Sequence, residues 1–418
     1  MALSWSPHPR YLLYTSKASY GLPLQHVFPR PRNSTDALAR LETEICQRFE
    51  VSAAICVPMA RTGLYFGLQE LIRPGQTVIL SPLTIIDVVN MVILAGGIPL
   101  FTDIRRQSCT IDPEQAESLI DSRTGAVLIT HLHGESAGAH VFRDICRRRA
   151  VPLIEDAAQA FGALESDRRL GTIGNLGIYS FGFYKNVNTW RGGMLVSPDP
   201  DLIARIRRRM EGLPVFPGWR LLALSLHGLI TDAATWPPLF ATFTHPILRY
   251  SYVRGCQVVN QRLDPEYGAT RLTEIPPDYL CQMTASQAAL ALCQLGRVDV
   301  DTTVRIDHAA RYHQALASLD GLITPRWQGG RTNIYTHYPI QCREREALLQ
   351  FAMYHKRDFA AQHLRNCADL PEFKEFYRHC PNSRASAREL ILLPTYPRYP
   401  SAEIQRNIEA IQEFFRSK

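Results

Sequence analysis

A lysine, a serine and an aspartate in this sequence form a combination that can hold and activate an aldehyde cofactor. Lys185 follows an aromatic, apolar run in a short loop that begins at Ser180, and Asp156 ends an earlier apolar segment. A lysine amine forms a Schiff base with an aldehyde, and a carboxylate beside a pyridine ring keeps the ring nitrogen protonated, so that the ring can accept electrons. Most lysines are solvated surface residues, but an apolar setting lowers the amine pKa and favours the neutral nucleophile. The three residues are therefore typical of a pyridoxal phosphate (PLP) site.

Short apolar strands alternate with amphipathic helices over residues 36–154, and this alternation predicts how the three side chains are positioned. It favours an α/β fold with a mainly parallel central sheet covered by helices. Ligands of such sheets collect at the carboxyl ends of the strands, which is where Asp156 is expected. We predict a large domain of residues 1–275 and a smaller C-terminal α+β domain of residues 276–418, divided at Ile275–Pro277.

Two blocks carry the predicted chemistry, Ile154–Ala160 and Ser180–Asn186, and several structural blocks surround them in the same order. Together they resemble the DegT/StrS-type aminotransferases, PLP enzymes of fold type I that mostly aminate keto-sugars on nucleotide carriers. The resemblance runs through most of the chain. It implies a fold-type-I PLP transferase, a small-molecule amino donor and keto acceptor, and a homodimer with active sites near the subunit interface. The structural blocks are Ile72–Val78, Ala95–Pro99, Met283–Leu290 and Leu392–Pro397.

The resemblance also implies a role for individual residues. Lys185 would carry PLP, Asp156 would contact the ring nitrogen and Gln159 the phenolic oxygen. Ser180 would bind the phosphate, and we assign the rest of the phosphate cup to a helix start at Arg61 and Thr62. Simpler interpretations stay open: a helix N-cap for Asp156, a surface position for Gln159, and a hydroxyl satisfied by backbone for Ser180.

The sequence departs from the family pattern at two places. Ile85 falls where the family has an aromatic ring over the cofactor, and Leu280 falls where it has an asparagine that reaches the phosphate of the neighbouring subunit. Ile85 predicts weaker stacking, or stacking supplied from elsewhere. Leu280 cannot donate a side-chain hydrogen bond, which puts the cross-subunit contact in doubt but not dimerisation.

Composition is that of an ordinary globular enzyme, with 46% hydrophobic and 20% charged residues in a chain of 418. The net charge of +7 suits an anionic substrate or an acidic membrane surface. The sequence contains no run of basic residues interspersed with aromatic ones, so it does not predict nucleic-acid binding. Ten cysteines without a Cys-x-x-Cys pair predict reduced thiols in the cytoplasm. We expect no signal peptide and no metal site. His131 and His133 are interpreted as strand-end residues, whereas His337 and Tyr338 are predicted to line the active-site mouth.

The most individual part of the chain is the apolar insertion 213–261, which is rich in Trp, Phe and Leu and follows a basic helix. Pro237, Pro238 and Pro246 predict that it is broken into short helices. Two interpretations remain open. The insertion is either a helical hairpin that forms a lid or a dimer interface, or an anchor that lies in a membrane surface.

Three functions therefore compete. The first is a PLP-dependent aminotransferase that moves an amino group from glutamate or glutamine to a keto-sugar or similar ketone through a Lys185 Schiff base. The second performs related chemistry on a lipophilic or lipid-linked ketone at a membrane surface. The third is a catalytically degenerate PLP-binding regulatory protein, which only Ile85 and Leu280 suggest.

Overall fold

Seven strands form the central sheet of this protein, in the spatial order β1-β10-β9-β6-β5-β2-β4. The computed structural model describes residues 5–16, 19–21, 34–256, 266 and 268–417. Strand β10 runs antiparallel to both of its neighbours, and the other six strands share one direction. The prediction of a mainly parallel sheet is confirmed. The strands are β1 (Ala53–Val57), β2 (Thr77–Leu80), β4 (Ile98–Phe101), β5 (Thr124–Thr130), β6 (Leu153–Asp156), β9 (Leu176–Ser180) and β10 (Gly193–Ser197).

Helices cover both faces of this sheet because alternate strand residues point to opposite sides. In β5, for example, Val127 and Ile129 belong to one buried cluster, whereas Ala126 and Leu128 belong to the other. Strands with two buried faces are apolar throughout, which is why the sequence pattern revealed them. The helices of this region are α1 (Ser34–Phe49), α2 (Ala60–Leu71), α3 (Ile86–Leu94), α4 (Pro113–Ser118), α5 (Ala139–Arg149) and α6 (Pro200–Met210).

The C-terminal part of the chain builds a second, antiparallel sheet in the order β11-β12-β15-β13, with its own buried core. It is the α+β segment that the sequence predicted, although the exact division at residue 275 stays a prediction. Its elements are α10 (Ala285–Leu295), α11 (Val298–Leu316), β11 (Leu322–Ile323), β12 (His337–Cys342), α12 (Arg345–Tyr354), β13 (Ala360–Ala361), α13 (Pro381–Glu389), β15 (Leu390–Pro394) and α14 (Ser401–Arg416).

Two small pairings complete the strands. Strand β3 (Leu83–Thr84) of the N-terminal part pairs with β14 (Arg365–Asn366) of the C-terminal part, so the two parts of the chain are joined by backbone hydrogen bonds. A two-stranded ribbon is formed by β7 (Leu164–Glu165) and β8 (Arg168–Arg169).

The insertion folds as a helical hairpin over residues 218–253, hereafter the apolar hairpin. It consists of α7 (Gly218–Thr235), α8 (Pro237–Leu239), a π-helical segment (Phe240–Thr244) and α9 (His245–Val253). Residues 257–261 of the predicted insertion lie outside the described residues.

The prediction of several short helices was only partly right. The prolines at 237 and 238 end α7, but α7 is 18 residues long, and Pro246 does not interrupt its helix. Pro246 lies in the first turn of α9, where the N–H groups need no partner within the helix, so the missing proline N–H is tolerated. Across the described ranges, we find no helix with the length and apolar character that crossing a bilayer requires.

Candidate active site

Lys185 lies in the turn that follows β9, where its backbone N–H donates to the carbonyl oxygen of Gly182 at 3.1 Å. The residue is half-buried. Burial lowers the pKa of its ammonium group, the Asp156 carboxylate opposes that shift, and the charge of Arg61 adds to it. Among the described residues, no side chain forms an ion pair or hydrogen bond with the amine. It is therefore a partly desolvated, unpaired nucleophile.

Asp156 ends the neighbouring strand β6, where it pairs with Ile178 of β9. One carboxylate oxygen accepts a hydrogen bond from the Ala158 N–H at 3.0 Å. Burial raises the pKa of this carboxyl group, and the Ala158 N–H and the Lys185 charge oppose the rise. No helix begins after Asp156, so the helix N-cap that the sequence allowed is not present; the carboxylate instead caps a short turn with one oxygen. A cationic ring nitrogen near the other oxygen would favour the ionised form.

The end of β9 and the start of helix α2 meet at a point with no room for a side chain. Ser180 pairs with Gly193, and a Cβ atom added to Gly193 would lie 2.7 Å from the carbonyl oxygen of Tyr179 and 2.9 Å from the Ala60 nitrogen. The N-cap residue Met59 provides no side-chain hydrogen bond to the first amides of α2. These amides and the helix dipole favour an anion at the start of α2. The Ser180 hydroxyl accepts a hydrogen bond from the Gly182 N–H at 3.4 Å, as its simpler interpretation allowed, and its own O–H is still available as a donor.

The side chains of Arg61 and Thr62, which were predicted to bind the phosphate, have protein partners here. Arg61 pairs with Asp87 and donates to the Tyr279 hydroxyl at 3.1 Å, and Thr62 donates to the Tyr279 carbonyl at 3.2 Å. The Tyr279 hydroxyl in turn donates to Asp87 at 3.1 Å. The two side chains therefore fasten the start of α2 to the segment that leads into the C-terminal part, while their backbone amides stay on the open end of the helix.

Gln159 is oriented by a residue at the end of a different strand. Its side-chain carbonyl accepts the His133 N–H at 3.0 Å, which leaves the NH2 end as the available donor. His133 adopts φ of 57° to present this N–H, and its ring nitrogen accepts from Gln362 at 2.8 Å. Burial, with a smaller contribution from His363, lowers the pKa of His133 to about 3, so the ring is neutral. The simple interpretation of Gln159 as a free surface residue is wrong.

The residues present fit PLP. An unpaired amine, a carboxylate with one satisfied oxygen, an amide donor and an uncapped helix start correspond to the aldehyde, ring nitrogen, phenolic oxygen and phosphate of that cofactor. The four polar residues at 156, 159, 180 and 185 are each half-buried at the edge of a buried sheet, so none of them is sealed in the core.

Comparison with known proteins decides the family. The model of the DegT/DnrJ/EryC1/StrS aminotransferase family matches residues 32–412. The chain belongs to this aminotransferase family. It is therefore an enzyme, and its architecture is that of the fold-type-I PLP aminotransferases, as the sequence predicted.

Solved structures share the fold of this aminotransferase at low sequence identity. The sugar aminotransferase CalS13 from Micromonospora echinospora has a TM-score of 0.75 and 20% identity, over 97% of this chain and 100% of that one. PseC from Helicobacter pylori, an aminotransferase involved in the biosynthesis of pseudoaminic acid, has a TM-score of 0.75 and 15% identity, over 99% and 100%. An aminotransferase from Psychrobacter cryohalolentis has a TM-score of 0.76 and 19% identity, over 99% of each chain.

Tyr11 lies beside the lysine loop of this aminotransferase, a position that the sequence did not reveal. The Tyr11 ring lies 5.4 Å from the Tyr184 ring and 5.2 Å from the His337 ring, measured between centroids. Burial and the charge of Arg305 lower the pKa of His337 well below its usual value, so this imidazole is neutral. Tyr11 lies in an irregular segment with no spacing pattern, and only the contact itself identifies it.

Tyr338, which was predicted to share the mouth with His337, lies elsewhere. Adjacent residues of a strand point to opposite faces, and Tyr338 is fully buried in the C-terminal core, where it stacks on Tyr312. The prediction for Tyr338 was wrong because strand alternation was not applied to β12. Ile85 and Leu280 are both partly buried and pack against apolar clusters, consistent with side chains that serve packing at these places.

Proposed function

We propose that this protein is a PLP-dependent aminotransferase that transfers an amino group from an amino acid, glutamate or glutamine, to a keto-sugar or similar ketone. One observation carries the proposal. The unpaired, partly desolvated amine of Lys185 lies within electrostatic reach of the Asp156 carboxylate, at the carboxyl edge of the sheet. Family membership supports the reaction type, and the sugar aminotransferases among the structural neighbours support a sugar acceptor.

When bound, PLP supplies an aldehyde for the amine and a cationic ring that withdraws electrons from the carbon being deprotonated. Asp156 holds the proton on the ring nitrogen. Gln159 donates its NH2 group to the phenolic oxygen, because its carbonyl end is occupied by the His133 N–H. The Ser180 hydroxyl and the first amides of α2 bind the phosphate.

Lys185 also acts as the general base and acid. With PLP bound, the Lys185 amine would take the proton from the α-carbon of the amino donor as general base and would give it up again as general acid. The lowered pKa of Lys185 increases the neutral fraction that can accept this proton near pH 7. In the second half-reaction the same amine moves a proton in the opposite sense, onto the former ketone carbon of the acceptor.

We further propose a cytoplasmic homodimer with active sites near the subunit interface. All ten cysteines are free thiols, which suits a reducing compartment. The dimer follows from the family resemblance.

Reduction with borohydride tests the assignment of Lys185. We expect the PLP-loaded protein to retain cofactor mass on the peptide that contains Lys185, and glutamate or glutamine to convert the bound PLP to pyridoxamine phosphate. Lys185→Ala should abolish both results, whereas Lys374→Ala, at an exposed lysine, should leave them intact. An adduct on another lysine, or no adduct, would contradict the proposal.

A second candidate keeps the same chemistry but changes the acceptor to a lipophilic or lipid-linked ketone, reached by peripheral contact with a membrane. The observation that favours it is the apolar surface of the hairpin, which leaves Trp219, Ile230 and Phe243 more than half exposed. Turnover of a keto-sugar nucleotide compared with a ketone on a lipid carrier, at equal concentration, would distinguish the two acceptors.

A further inference from the structure

The apolar hairpin presents to solvent the side chains that a soluble protein normally buries. On α7, Trp219, Leu226 and Ile230 recur at spacings of seven and four residues, so they lie along one face of the helix. The connecting turn and α9 extend this surface. Patches of this size on a monomer mark an interaction site. The exposed apolar residues are Trp219, Leu226, Leu229, Ile230, Trp236, Leu239, Phe243, Ile247 and Tyr250, hereafter the apolar face.

The opposite side of α7 is fixed to the body of the protein. Leu221, Ser225 and Gly228 are buried, and Gly228 packs directly on the Trp190 indole with no room for a side chain. The carboxylate of Asp232 accepts hydrogen bonds from Thr15 and Tyr20. Because these contacts hold the inner side of α7 against the protein, the orientation of the helix is fixed and the apolar face points to solvent.

We propose that the apolar face docks on the surface of an anionic lipid bilayer. The described charges of the hairpin and its C-terminal end are Arg220, Asp232, Arg249 and Arg254. Asp232 is directed inward, and Arg220 is paired with Asp278. Arg249 and Arg254 are exposed, and neither forms an ion pair with any described residue. Two acids contact the hairpin from outside it: Asp278 pairs with Arg220, and Glu346 accepts from the Tyr252 hydroxyl and pairs with Arg345. The hairpin therefore combines large apolar side chains with two unpaired arginines and no outward acid of its own, which suits anionic headgroups above acyl chains.

Aromatic placement supports a lipid surface. Trp219, Trp236 and Tyr250 are all strongly exposed, and Trp and Tyr are the residues that favour the interface between headgroups and hydrocarbon. Since no described helix can span a bilayer, the hairpin would lie in the interface plane.

A second copy of this chain suits the face less well. A twofold interface places the same patch on both subunits, so the exposed arginines of both copies would enter one interface. The hairpin has no outward acid of its own to pair them, and the two acids that contact it, Asp278 and Glu346, already have the partners Arg220 and Arg345. Like charges brought together in an interface are unfavourable. A bilayer with acidic headgroups supplies the missing partner charge.

Docking would bring the cleft to the membrane. Phe183 lies two residues before Lys185. Its ring is 5.4 Å from the ring of His227 on the hairpin and 5.2 Å from the Trp190 ring, on which the hairpin packs. The hairpin therefore packs on the loop that carries the catalytic amine. Resting on the proposed function, this geometry assigns the acceptor to the class of ketones carried on a lipid or held at a lipid surface.

Co-sedimentation with vesicles tests the docking surface on the full-length, PLP-loaded protein. We expect binding to vesicles of phosphatidylcholine with phosphatidylglycerol, weaker binding to phosphatidylcholine alone, and a loss of binding as salt increases. The double variant Ile230→Asp/Phe243→Asp should lower the partition coefficient more than about tenfold. Arg249→Gln and Arg254→Gln should each lower binding to the anionic vesicles about fivefold. Val141→Asp/Val300→Asp, which places the same two charges at exposed apolar sites on α5 and α11, is the matched control and should bind as the wild type does.

Two results would overturn the proposal. One is the absence of wild-type binding to vesicles of either composition. The other is equal binding of the wild type and the double variant. If the double variant instead changes the oligomeric mass in light scattering, the face is an interface between copies of this chain, and the lipid assignment fails. Conversion of bound PLP by glutamate, measured without lipid on the same samples, reports the proposed aminotransferase chemistry separately. A failure of docking is therefore distinct from a failure of catalysis.

Discussion

Gly228 of helix α7 lies directly against the indole of Trp190, and a Cβ atom on that glycine would overlap the ring. Trp190 is buried, its indole N–H donates to the Ser19 carbonyl at 3.0 Å, and its ring also contacts Phe183 and Tyr20. The close approach at Gly228 thus fixes the distance between the apolar hairpin and the loop that carries Lys185.

Gly228→Ala should therefore destabilise the protein, because either α7 or the Trp190 ring must move. We expect a loss of about 1–3 kcal/mol in the free energy of unfolding, measured by urea titration. Gly296→Ala is the control, since a Cβ atom there meets open space at an ordinary φ, and this change should be neutral or slightly stabilising. Equal stability of the two variants would show that the hairpin adjusts freely.

Asp156→Asn should slow the first half-reaction while leaving cofactor bound. The amide keeps an oxygen for the Ala158 N–H, so the local structure is preserved, but it carries no charge to hold a proton on the ring nitrogen. Rapid mixing of the PLP form with glutamate should show a rate lower by roughly 10²-fold or more. A rate near that of the wild type, with intact cofactor content, would remove Asp156 from the catalytic assignment.

Gly193→Ala should weaken cofactor binding. The added methyl group would come between the carbonyl of Tyr179 and the first amide of α2, and would push the helix start away from Ser180. We expect the dissociation constant of PLP, measured by equilibrium dialysis, to increase at least about tenfold, since one displaced charge-assisted hydrogen bond contributes that much. Gly296→Ala, at the end of α10, meets open space, and its PLP affinity should stay close to the wild-type value.

Glu135 should make stability fall as pH rises. It is buried, its oxygens accept only long hydrogen bonds from Gln328 (3.3 Å) and Asn333 (3.4 Å), and burial raises its pKa to about 8. Between the ordinary value of 4.5 and about 8, the folded state binds the proton that the unfolded state has lost. The contribution of Glu135 is thus fully present below pH 4.5 and is lost as pH approaches 8.

Glu135→Gln should remove this dependence, because the amide stays neutral at every pH. Melting temperatures measured from pH 5 to pH 9 should decline less for the variant, with the largest difference at the alkaline end. A variant whose decline parallels that of the wild type would show that Glu135 is ionised in the folded protein.

The sequence was most informative where one physical rule decides the structure. Strands buried on both faces are mostly apolar, so β5, β9 and the apolar start of β6 could be predicted. With them came the sheet edge that ends in Asp156 and Ser180 and leads to Lys185. The site could not be completed in this way. Gln362 contacts His133, and Tyr11 contacts His337, although each pair is far apart in the sequence. Neither Gln362 nor Tyr11 belongs to a periodic hydrophobic pattern, so a single sequence does not predict these contacts.

Side-chain partners were equally hard to foresee. The start of α2 was predicted as a phosphate site because helix ends attract anions, but the pairing of Arg61 with Asp87 depends on the position of a second helix. The outward face of the hairpin is a further case. A run of apolar residues indicates burial or an interface, and only the contacts of Leu221 and Gly228 show which side faces the protein.

Trp190 also gives this enzyme a built-in optical probe. Of the tryptophans, it alone is almost fully buried, and it joins the N-terminal segment, the hairpin and the lysine loop. Its emission should therefore be blue-shifted relative to that of the exposed Trp219 and Trp236. Replacing the other four tryptophans, Trp5, Trp219, Trp236 and Trp327, with phenylalanine would leave Trp190 as a single fluorophore. Its colour and lifetime would report movement around the catalytic lysine in real time, without any added label.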